Sequence, residues 1–261
     1  MGQRRFGRVN WLGLRTLVER EIRRFMNVYT QTILAPVVTS LLFMTVFTLA
    51  FGAGRGPVGG VPFEQFLAPG ILMMVMIQNA FANTSSSIMI SKIQGNIVDT
   101  LMPPLSPGEI LAGYIIGGVT RGLVCATAVM LVIFPWAGVF PVLPLWMLFF
   151  ALAGSVMLSL LGLLGGIYAE KFDQMSAITN FVITPLSFLS GTFYSIERLP
   201  PAFQAVSHVN PFFYLIDGFR YGALGVSDSS PWIGLCATLA INSALGWLAW
   251  RWLATGYRLK A

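Results

Sequence analysis

Two stripes of uncharged polar side chains lie inside long apolar stretches of the chain. The first consists of Asn79, Asn83 and Ser86, and the second consists of Asn180, Thr184 and Ser187. Spacings of three and four residues place the members of each stripe on one face of a helix. Uncharged polar groups in lipid face other helices or a cavity. The stripes therefore predict either hydrogen bonds between helices or the lining of a pathway for an amphiphilic substrate.

Groups suited to covalent or metal chemistry are scarce. His208 is the single histidine, which argues against a histidine-rich zinc site, and no GxSxG motif is present. Cys125 and Cys236 lack CxxC spacing and lie in apolar stretches, which indicates ordinary buried thiols. No lysine completes a GxxxxGKS/T phosphate loop. We expect that the chain is not an enzyme and binds no cofactor, and that any ATP and magnesium are held by a partner protein.

Ionisable groups inside apolar stretches mark ion pathways in many transporters, and they are rare here. The stretches contain no Asp or Glu, and Arg121, in the third stretch, is the one clear candidate for a charge inside the membrane. Because arginine stays protonated, a proton relay built on this residue alone is disfavoured. Arg121 either has a structural role or faces a polar cavity. An ion-coupled secondary transporter or a channel is the alternative function that the sequence leaves open, and the missing acids count against the former.

The apolar stretches themselves indicate a membrane protein. The 261 residues are 56% hydrophobic and 10% charged, whereas soluble domains carry about 25% charged residues. Six stretches approach or exceed the ~20 residues that cross the hydrocarbon layer as a helix. They cover residues 31–51, 66–90, 110–134, 143–168, 175–194 and 231–253. Because backbone groups in lipid must be satisfied within each segment, we predict an all-α membrane protein with six transmembrane helices in one domain, residues 1–261.

Local signals predict how the third and fourth stretches begin and pack. Ser106 and Glu109 have the spacing of a capping box, with Pro107 at the first helical position. The fourth stretch carries small residues along one face, namely Ala151, Ser155, Ser159, Gly162 and Gly166. Small residues at this spacing predict that the fourth helix approaches a neighbouring helix closely.

Residues 10–27 are predicted to form an amphipathic helix before the first span. Its apolar stripe consists of Trp11, Leu14, Val18, Ile22 and Phe25, and the charges Arg20, Arg23 and Arg24 fall away from that stripe. A basic amphipathic helix beside a span is expected to lie in the membrane interface. The alternative is an ordinary soluble helix that packs on a neighbour.

The distribution of lysine and arginine predicts the orientation in the membrane. One set of segments contains Arg4, Arg5, Arg8, Arg15, Arg20, Arg23, Arg24, Lys92, Lys171, Arg251, Arg258 and Lys260, and the opposite set contains Arg55, Arg198 and Arg220. The positive-inside rule then places both termini in the cytoplasm. The net charge of +6 does not indicate nucleic acid binding, because no soluble domain with a basic face is present.

The cytoplasmic connection over residues 91–109 contains a short helical candidate that ends at Pro103-Pro104. A short, rigid helix between two spans is suited to pushing against a soluble partner.

The connection over residues 195–225 lies on the outer side in this topology and is too aromatic and apolar for a free loop. We predict a re-entrant outer hairpin between spans five and six. Its two short helices dip into the outer leaflet. They are joined near Pro200-Pro201 and broken again at Asn210-Pro211.

Several short motifs resemble the ABC-2 family of transporter permeases. They are Pro36, Phe66 to Gly70, Gly95-Asn96-Ile97 to Ser106, Pro185 to Tyr194 with Leu199-Pro200, Asn210-Pro211 and Gly218-Phe219-Arg220-Tyr221. The likeness covers nearly the whole chain and is nearest to the bacterial inner-membrane permeases of this family. It implies a homodimer of permeases that works with two copies of a separate ATPase, which binds ATP and magnesium. It also implies export of a hydrophobic or amphiphilic substrate, such as a drug, lipid or glycan, by alternating access.

The same resemblance implies roles for particular residues. Coupling to the ATPase is expected at Asn96, Ile97, Asp99, Leu101, Pro104 and Leu105, and the substrate pathway is expected along the two polar stripes. The outer hairpin, marked by Leu199, Pro200, Asn210, Pro211 and Arg220, is expected to cap the outer end of the pathway. The chain departs from the family pattern in one respect. Members often carry more than one acid in the coupling segment, whereas here Thr100 follows the single acid Asp99.

Overall fold

Helices account for most of the chain in the computed structural model, which describes residue 7 and residues 9–52, 56–196 and 199–259. In these ranges the α-helices are α1 Trp11–Met26, α2 Ala35–Phe47, α3 Phe63–Ile93, α4 Val98–Leu101, α5 Pro107–Ala137, α6 Pro144–Tyr168, α7 Phe172–Ile178, α8 Thr184–Phe188, α9 Pro201–Val209, α10 Pro211–Leu224 and α11 Pro231–Thr255. Short π-helical stretches, Thr30–Leu34 and Thr48–Gly52, flank α2, and Thr179–Ile183 joins α7 to α8. The prediction of a helical protein is confirmed for the described residues.

Five helical segments in the described ranges are long and apolar enough to cross a membrane. They are Thr30–Ala50, Phe63–Ile93, Pro107–Ala137, Pro144–Tyr168 and Pro231–Thr255. The predicted range 175–194 differs, because its helical run starts at Phe172 and ends at Phe188. At about 1.5 Å per residue this run covers about 25 Å, which is less than the ~30 Å of hydrocarbon in a bilayer.

A contact from a distant part of the chain ends the helix at α8. The side-chain amide of Asn210 donates to the Leu186 carbonyl at 3.0 Å, so it occupies an oxygen in the last helical turn. Gly191 then adopts φ +73°, a left-handed conformation that directs the backbone away from the helix axis. The residues from 190 to 194 therefore bend where the sequence predicts helix.

Helix α3 lies at the centre of the bundle and packs against α5, α6 and α10. Its contact with α6 uses the small residues that the sequence singled out. A Cβ atom on Gly162 would lie 2.5 Å from the Phe81 carbonyl oxygen, so only glycine allows this approach. Ser159 offers its backbone carbonyl to the Thr84 hydroxyl at 2.8 Å. The predicted close packing of the fourth stretch is confirmed.

The start of α5 also follows the prediction. Ser106 and Glu109 form the capping box, and Pro107 occupies the first turn. One oxygen of the Glu109 carboxylate also accepts the backbone N–H of Asn10 at 2.6 Å. The cap of α5 therefore anchors the start of α1 as well.

The segment after α8 forms two helices, but not where the sequence placed them. The predicted break at Asn210-Pro211 is confirmed, since α9 ends at Val209 and α10 starts at Pro211. The predicted joint at Pro200-Pro201 is wrong, because both helices follow Pro200 and the described residues between Phe188 and Pro200 contain no α-helix. Helix α10 buries Phe212, Phe213 and other large side chains against α6 and α3. This burial makes α10 part of the core.

Basic residues gather at the end of the bundle that carries α1. Lys92 donates to the carbonyls of Ile167 and Ala169, both at 2.7 Å, and so caps the end of α6. Arg258 donates to the Tyr168 carbonyl at 3.0 Å. Six of the basic residues that predict the orientation lie outside the described residues, namely Arg4, Arg5, Arg8, Arg55, Arg198 and Lys260.

Candidate coupling and substrate sites

Helix α1 packs on the bundle with a face that differs from its apolar stripe. Its buried residues are Leu17, Glu21 and Phe25, whereas Trp11 is 72% exposed. Of the predicted stripe Phe25 is buried, Leu14, Val18 and Ile22 are half-buried, and Trp11 is exposed. Helix α1 does pack on a neighbour, α5, as the alternative supposed, and its place in the membrane interface stays a prediction. Leu17 and Glu21 fit against two glycines of α5. A Cβ atom on Gly117 would lie 2.5 Å from the Glu21 Cβ.

Glu21 is fully buried and holds a cluster of hydrogen bonds that the sequence did not suggest. Its Oε1 accepts from the Ser87 hydroxyl at 2.8 Å and from Arg20 Nη2 at 3.2 Å. Its Oε2 lies 3.4 Å from Arg24 Nη2. A buried carboxylate requires such charged partners, because desolvation of an unpaired charge costs several kcal/mol.

Arg24 continues the cluster into α3. Its Nη2 donates to the Asn83 carbonyl at 2.6 Å and to Asn83 Oδ1 at 2.9 Å, and its Nη1 donates to the Ser86 hydroxyl at 3.0 Å. Two members of the first polar stripe are therefore partners of α1. For Asn83, which has no exposed surface, the helix-to-helix interpretation describes the contact.

Arg20 extends the cluster toward the segment between α3 and α5. Its Nη1 donates to the Thr100 hydroxyl at 2.8 Å, and its Nη2 donates to the Tyr114 hydroxyl at 3.2 Å. We call Arg20, Glu21, Arg24 and the side chains that they contact the α1 network. It joins α1 to α3, to α5 and to the short helix α4.

The predicted coupling residues divide into an inward and an outward group. Ile97 is buried and anchors the segment, and Leu105 packs toward Gly13 of α1. Asn96, Asp99, Leu101 and Pro104 are exposed. Two further apolar side chains that the sequence analysis did not select are more exposed than Leu101, with Met102 at 78% and Val98 at 50%.

Other charges on α1 lie on its outer side. Glu19 accepts from Arg15 at 2.7 Å and lies 3.7 Å from Arg23. The hydrogen bond from Arg15 lowers the pKa of the Glu19 carboxyl. Exposed pairs of this kind contribute little to stability.

A polar cavity of about 440 Å³ opens between α3 and the run from α7 to α8. Its polar lining consists of Gln78, Asn79, Ser85, Ser86, Ser176, Thr179, Asn180 and Thr184, and its apolar lining includes Phe81, Met89, Phe172, Met175 and Ile183. Four of the six predicted pathway residues meet here, namely Asn79, Ser86, Asn180 and Thr184. The lining contains no charged side chain.

Two predicted pathway residues do not line this cavity. Asn83 faces Arg24, and the Ser187 hydroxyl donates to the Ile183 carbonyl at 2.7 Å within its own helix. Arg121 lies behind the cavity wall, where its Nη2 donates to Asn79 Oδ1 at 3.3 Å. The arginine thereby holds one of the lining amides in place.

A second cluster of buried charge surrounds α10. Arg220 is 1% exposed, donates to the Gly191 carbonyl at 2.6 Å and lies over the ring of Phe66, 3.8 Å from the ring centroid. Asp217 lies 3.9 Å from Arg220 and accepts the backbone N–H groups of Asp228 and Ser229. Burial raises the pKa of Asp217 to about 6, although the attraction of Arg220 favours the carboxylate.

The carboxylate of Asp228 completes this cluster by accepting from the Ser195 hydroxyl and from the backbone N–H of Ile196, both at 2.9 Å. We call Asp217, Arg220, Asp228 and the groups that they contact the α10 clamp. Among the predicted hairpin residues, Asn210 and Arg220 are buried and hold neighbouring loops, and Pro200 is exposed.

The described residues contain five apolar helical segments of membrane length with α3 at their centre, and they define a multi-pass α-helical membrane protein. The family model for ABC-2 type transporters matches residues 13–224, and the chain belongs to this family. The family comprises membrane subunits of ABC transporters, so the resemblance in the sequence is confirmed.

The relatives agree with the family model. The inner membrane transport permease YadH of Escherichia coli strain K12 is 42% identical over 224 residues, which are 84% of this chain and 85% of YadH. Nodulation protein J of Sinorhizobium fredii strain NBRC 101917 / NGR234 is 30% identical over 195 residues, or 72% of this chain and 71% of that protein. Nodulation protein J of Rhizobium leguminosarum bv. viciae is 27% identical over 230 residues, or 84% of each.

Proposed function

We propose that the chain is the permease subunit of an ABC exporter in a bacterial inner membrane. Two copies form a homodimer, and two copies of a separate ATPase subunit bind ATP and magnesium and drive the transport cycle. The chain itself holds no nucleotide and catalyses no reaction. Membership of the ABC-2 family and the similarity to an inner membrane permease support this proposal.

The single observation that carries the proposal is the construction of the segment between α3 and α5. Ile97 anchors it in the core, Asp99 and Met102 project from its surface, and Arg20 fixes Thr100 from behind. A short surface helix braced in this way passes the push of a soluble protein on to the helices that hold it. We assign residues 91–109 as the coupling segment that docks on the ATPase.

The proposed topology has six spans with both termini in the cytoplasm. The run Phe172–Phe188 supplies the fifth span, although it is short, and the bilayer thins or the residues beyond it complete the crossing. The exposure of Trp11 supports an interfacial α1, because this end of its apolar stripe is left free for lipid. The α9–α10 hairpin closes the outer end of the pathway.

The proposed substrate is hydrophobic or amphiphilic, such as a drug, a lipid or a glycan, and it moves outward. The cavity pairs uncharged amides and hydroxyls with methionine and phenylalanine side chains, which suits a molecule with polar and apolar parts. The cavity opens on the surface of the single chain, so a second copy placed against α7 and α8 would enclose the route.

Affinity purification of the tagged protein from its native cell into nanodiscs tests the proposal. We expect a soluble ATPase to co-purify at about a two-to-two ratio, and its hydrolysis of ATP to respond to the permease. A preparation without any ATPase, even after mild crosslinking, would overturn the proposal. Transport that persists without nucleotide would instead indicate a secondary transporter, and conductance without nucleotide would indicate a channel.

A further inference from the structure

We propose that Glu21 is a positioning residue that transmits movement of the coupling segment to the substrate cavity. This inference rests on the proposed function, because it assumes that an ATPase docks on residues 91–109. It assigns to α1 an active part in the transport cycle, in addition to its place at the membrane interface.

The α1 network provides a continuous path between the two sites. At one end the Thr100 hydroxyl, next to the exposed Asp99, accepts from Arg20 at 2.8 Å. Arg20 lies 3.2 Å from Glu21, and Glu21 lies 3.4 Å from Arg24. At the other end Arg24 donates to Ser86 at 3.0 Å, and Ser86 lines the cavity. Every step in this path is a contact between side chains.

Glu21 holds the centre of this path because it is the one member with two cationic partners. Its carboxylate keeps Arg20 and Arg24 together despite their like charges, and it also binds Ser87 of α3. Without the carboxylate, the two guanidinium groups would repel each other and the link between Thr100 and Ser86 would open. The carboxylate itself is fully buried, whereas the side chains of Arg20 and Arg24 are 42% and 28% exposed.

The backbone packing makes the path rigid. The Glu21 Cβ contacts Gly117 of α5 so closely that no side chain fits between the two helices. Leu17 fits against Gly113 in the same manner one turn earlier. A displacement of the coupling segment is therefore transferred to α1 as a whole, because α1 cannot slide past α5 without removing Glu21 from its contacts.

The test uses a cysteine reporter in the cavity and the complete complex with the co-purified ATPase. Cys125 and Cys236 are replaced by serine, and Asn180→Cys introduces a thiol on the cavity wall. The rate of labelling by a water-soluble maleimide is measured with and without a non-hydrolysable ATP analogue and magnesium. With wild-type α1 we expect the nucleotide to change the rate several-fold, since the cavity is reshaped when the ATPase dimer closes.

Two variants interrupt the path, and a third variant provides the control. The pair Glu21→Gln with Arg24→Gln avoids leaving a single charge buried, and Thr100→Val removes the acceptor for Arg20 with little change of volume. We expect both to retain the bound ATPase but to lose the nucleotide-dependent change in labelling. Glu19→Gln makes the matching substitution on the exposed side of the same helix, and it should retain the full change.

The outcomes separate this inference from the function on which it rests. A wild-type complex that lacks the ATPase, or that shows no nucleotide response, overturns the proposed function and the inference with it. If the wild-type complex responds and both path variants show the same nucleotide-dependent change in labelling rate, the inference alone is overturned. An equal loss in Glu19→Gln overturns it as well, because the effect would then belong to α1 in general. If the paired variant fails to fold, Thr100→Val decides the question.

Discussion

The α1 network and the α10 clamp both bury arginine beside a carboxylate, but the groups that they bind differ. Glu21 contacts the side chain of Ser87 on α3 and the side chains of Arg20 and Arg24 on its own helix. The two arginines in turn reach further elements of the bundle. In the clamp, Asp217 accepts two backbone N–H groups of the loop after α10, and Arg220 donates to the Gly191 carbonyl.

This difference indicates two roles for buried charge in one molecule. Backbone partners in adjacent loops fix those loops to α10, so the clamp is suited to holding a rigid lid. Side-chain partners on separate helices connect those helices to one another, so the network is suited to passing on a movement. Substitutions in the clamp should therefore reduce stability first, whereas substitutions of Glu21, Arg24 or Thr100 in the network should reduce coupling first.

The largest effect is expected from Arg220→Ala. Removal of the guanidinium leaves Asp217 buried without its cationic neighbour and opens a cavity beside Phe66. Loss of one partner of a buried pair costs about 3–5 kcal/mol of unfolding free energy. Thermal unfolding in nanodiscs measures the loss. Arg258→Ala, at the partly exposed pair with Glu170, serves as the control and should lower the unfolding free energy by less than about 1 kcal/mol. An equal loss of stability in Arg220→Ala and Arg258→Ala would contradict the claim that the clamp holds a rigid lid.

A smaller effect is expected from added methyl groups at two tight contacts. Gly222→Ala would place a Cβ 2.3 Å from the Met147 backbone nitrogen, so α10 must shift and stability should fall by about 1–3 kcal/mol. Gly117→Ala meets Glu21 instead and should reduce nucleotide-dependent labelling of the cavity more than stability. At Gly246, where nothing lies within 4 Å of an added Cβ, alanine should leave both properties intact. If Gly222→Ala and Gly117→Ala changed stability and labelling to the same extent, the proposed division of roles between clamp and network would be contradicted.

Buried and cavity-lining polar residues of the predicted pathway should respond differently to substitution. Asn83→Leu removes an acceptor for Arg24 from a site with no exposed surface, so we expect loss of both folding and transport. Asn180→Leu changes an exposed cavity wall and should reduce transport while the yield of folded protein stays normal. Comparing yield with transport for the two variants checks this. Normal folding of Asn83→Leu would show that its bond to Arg24 is dispensable.

The smallest effect is expected from Asp99→Ala. Asp99 is exposed, so its removal should leave insertion and stability unchanged while it weakens binding of the ATPase several-fold. Affinity between the permease in nanodiscs and the purified ATPase measures the change. Asp173→Ala removes an exposed acid from the first turn of α7 and serves as the control. Unchanged affinity for Asp99→Ala would remove this residue from the docking surface.

The helices and their local signals were predictable from the sequence, because they depend on neighbours in the chain. Continuous apolar stretches predicted helical ranges, and the spacing of Ser106 and Glu109 predicted the cap of α5. The inward face of α1 was not predictable from amphipathicity. Lipid is as apolar as a protein core, so the apolar stripe does not reveal which face packs on the bundle.

Long-range contacts account for the remaining errors. Asn210 ends α8 from a distance of 24 residues along the chain, and no pattern near Leu186 reveals it. The burial of Glu21 depends on two glycines of α5 and on the hydroxyl of Ser87. Four members of the two polar stripes meet at one cavity, whereas Asn83 and Ser187 are turned away from it by contacts of their own.

Site-specific crosslinking at two ends of α5 tests the central claim that the coupling segment docks on an ATPase. A photoreactive side chain replaces Met102, which is 78% exposed, or Phe140, which is 82% exposed beyond the far end of the 31-residue helix. The helix between these positions is about 45 Å long. We predict that position 102 crosslinks to a soluble ATPase in intact cells and that position 140 does not. A crosslink to the ATPase from position 140, or none from position 102 while the ATPase co-purifies, would contradict the account.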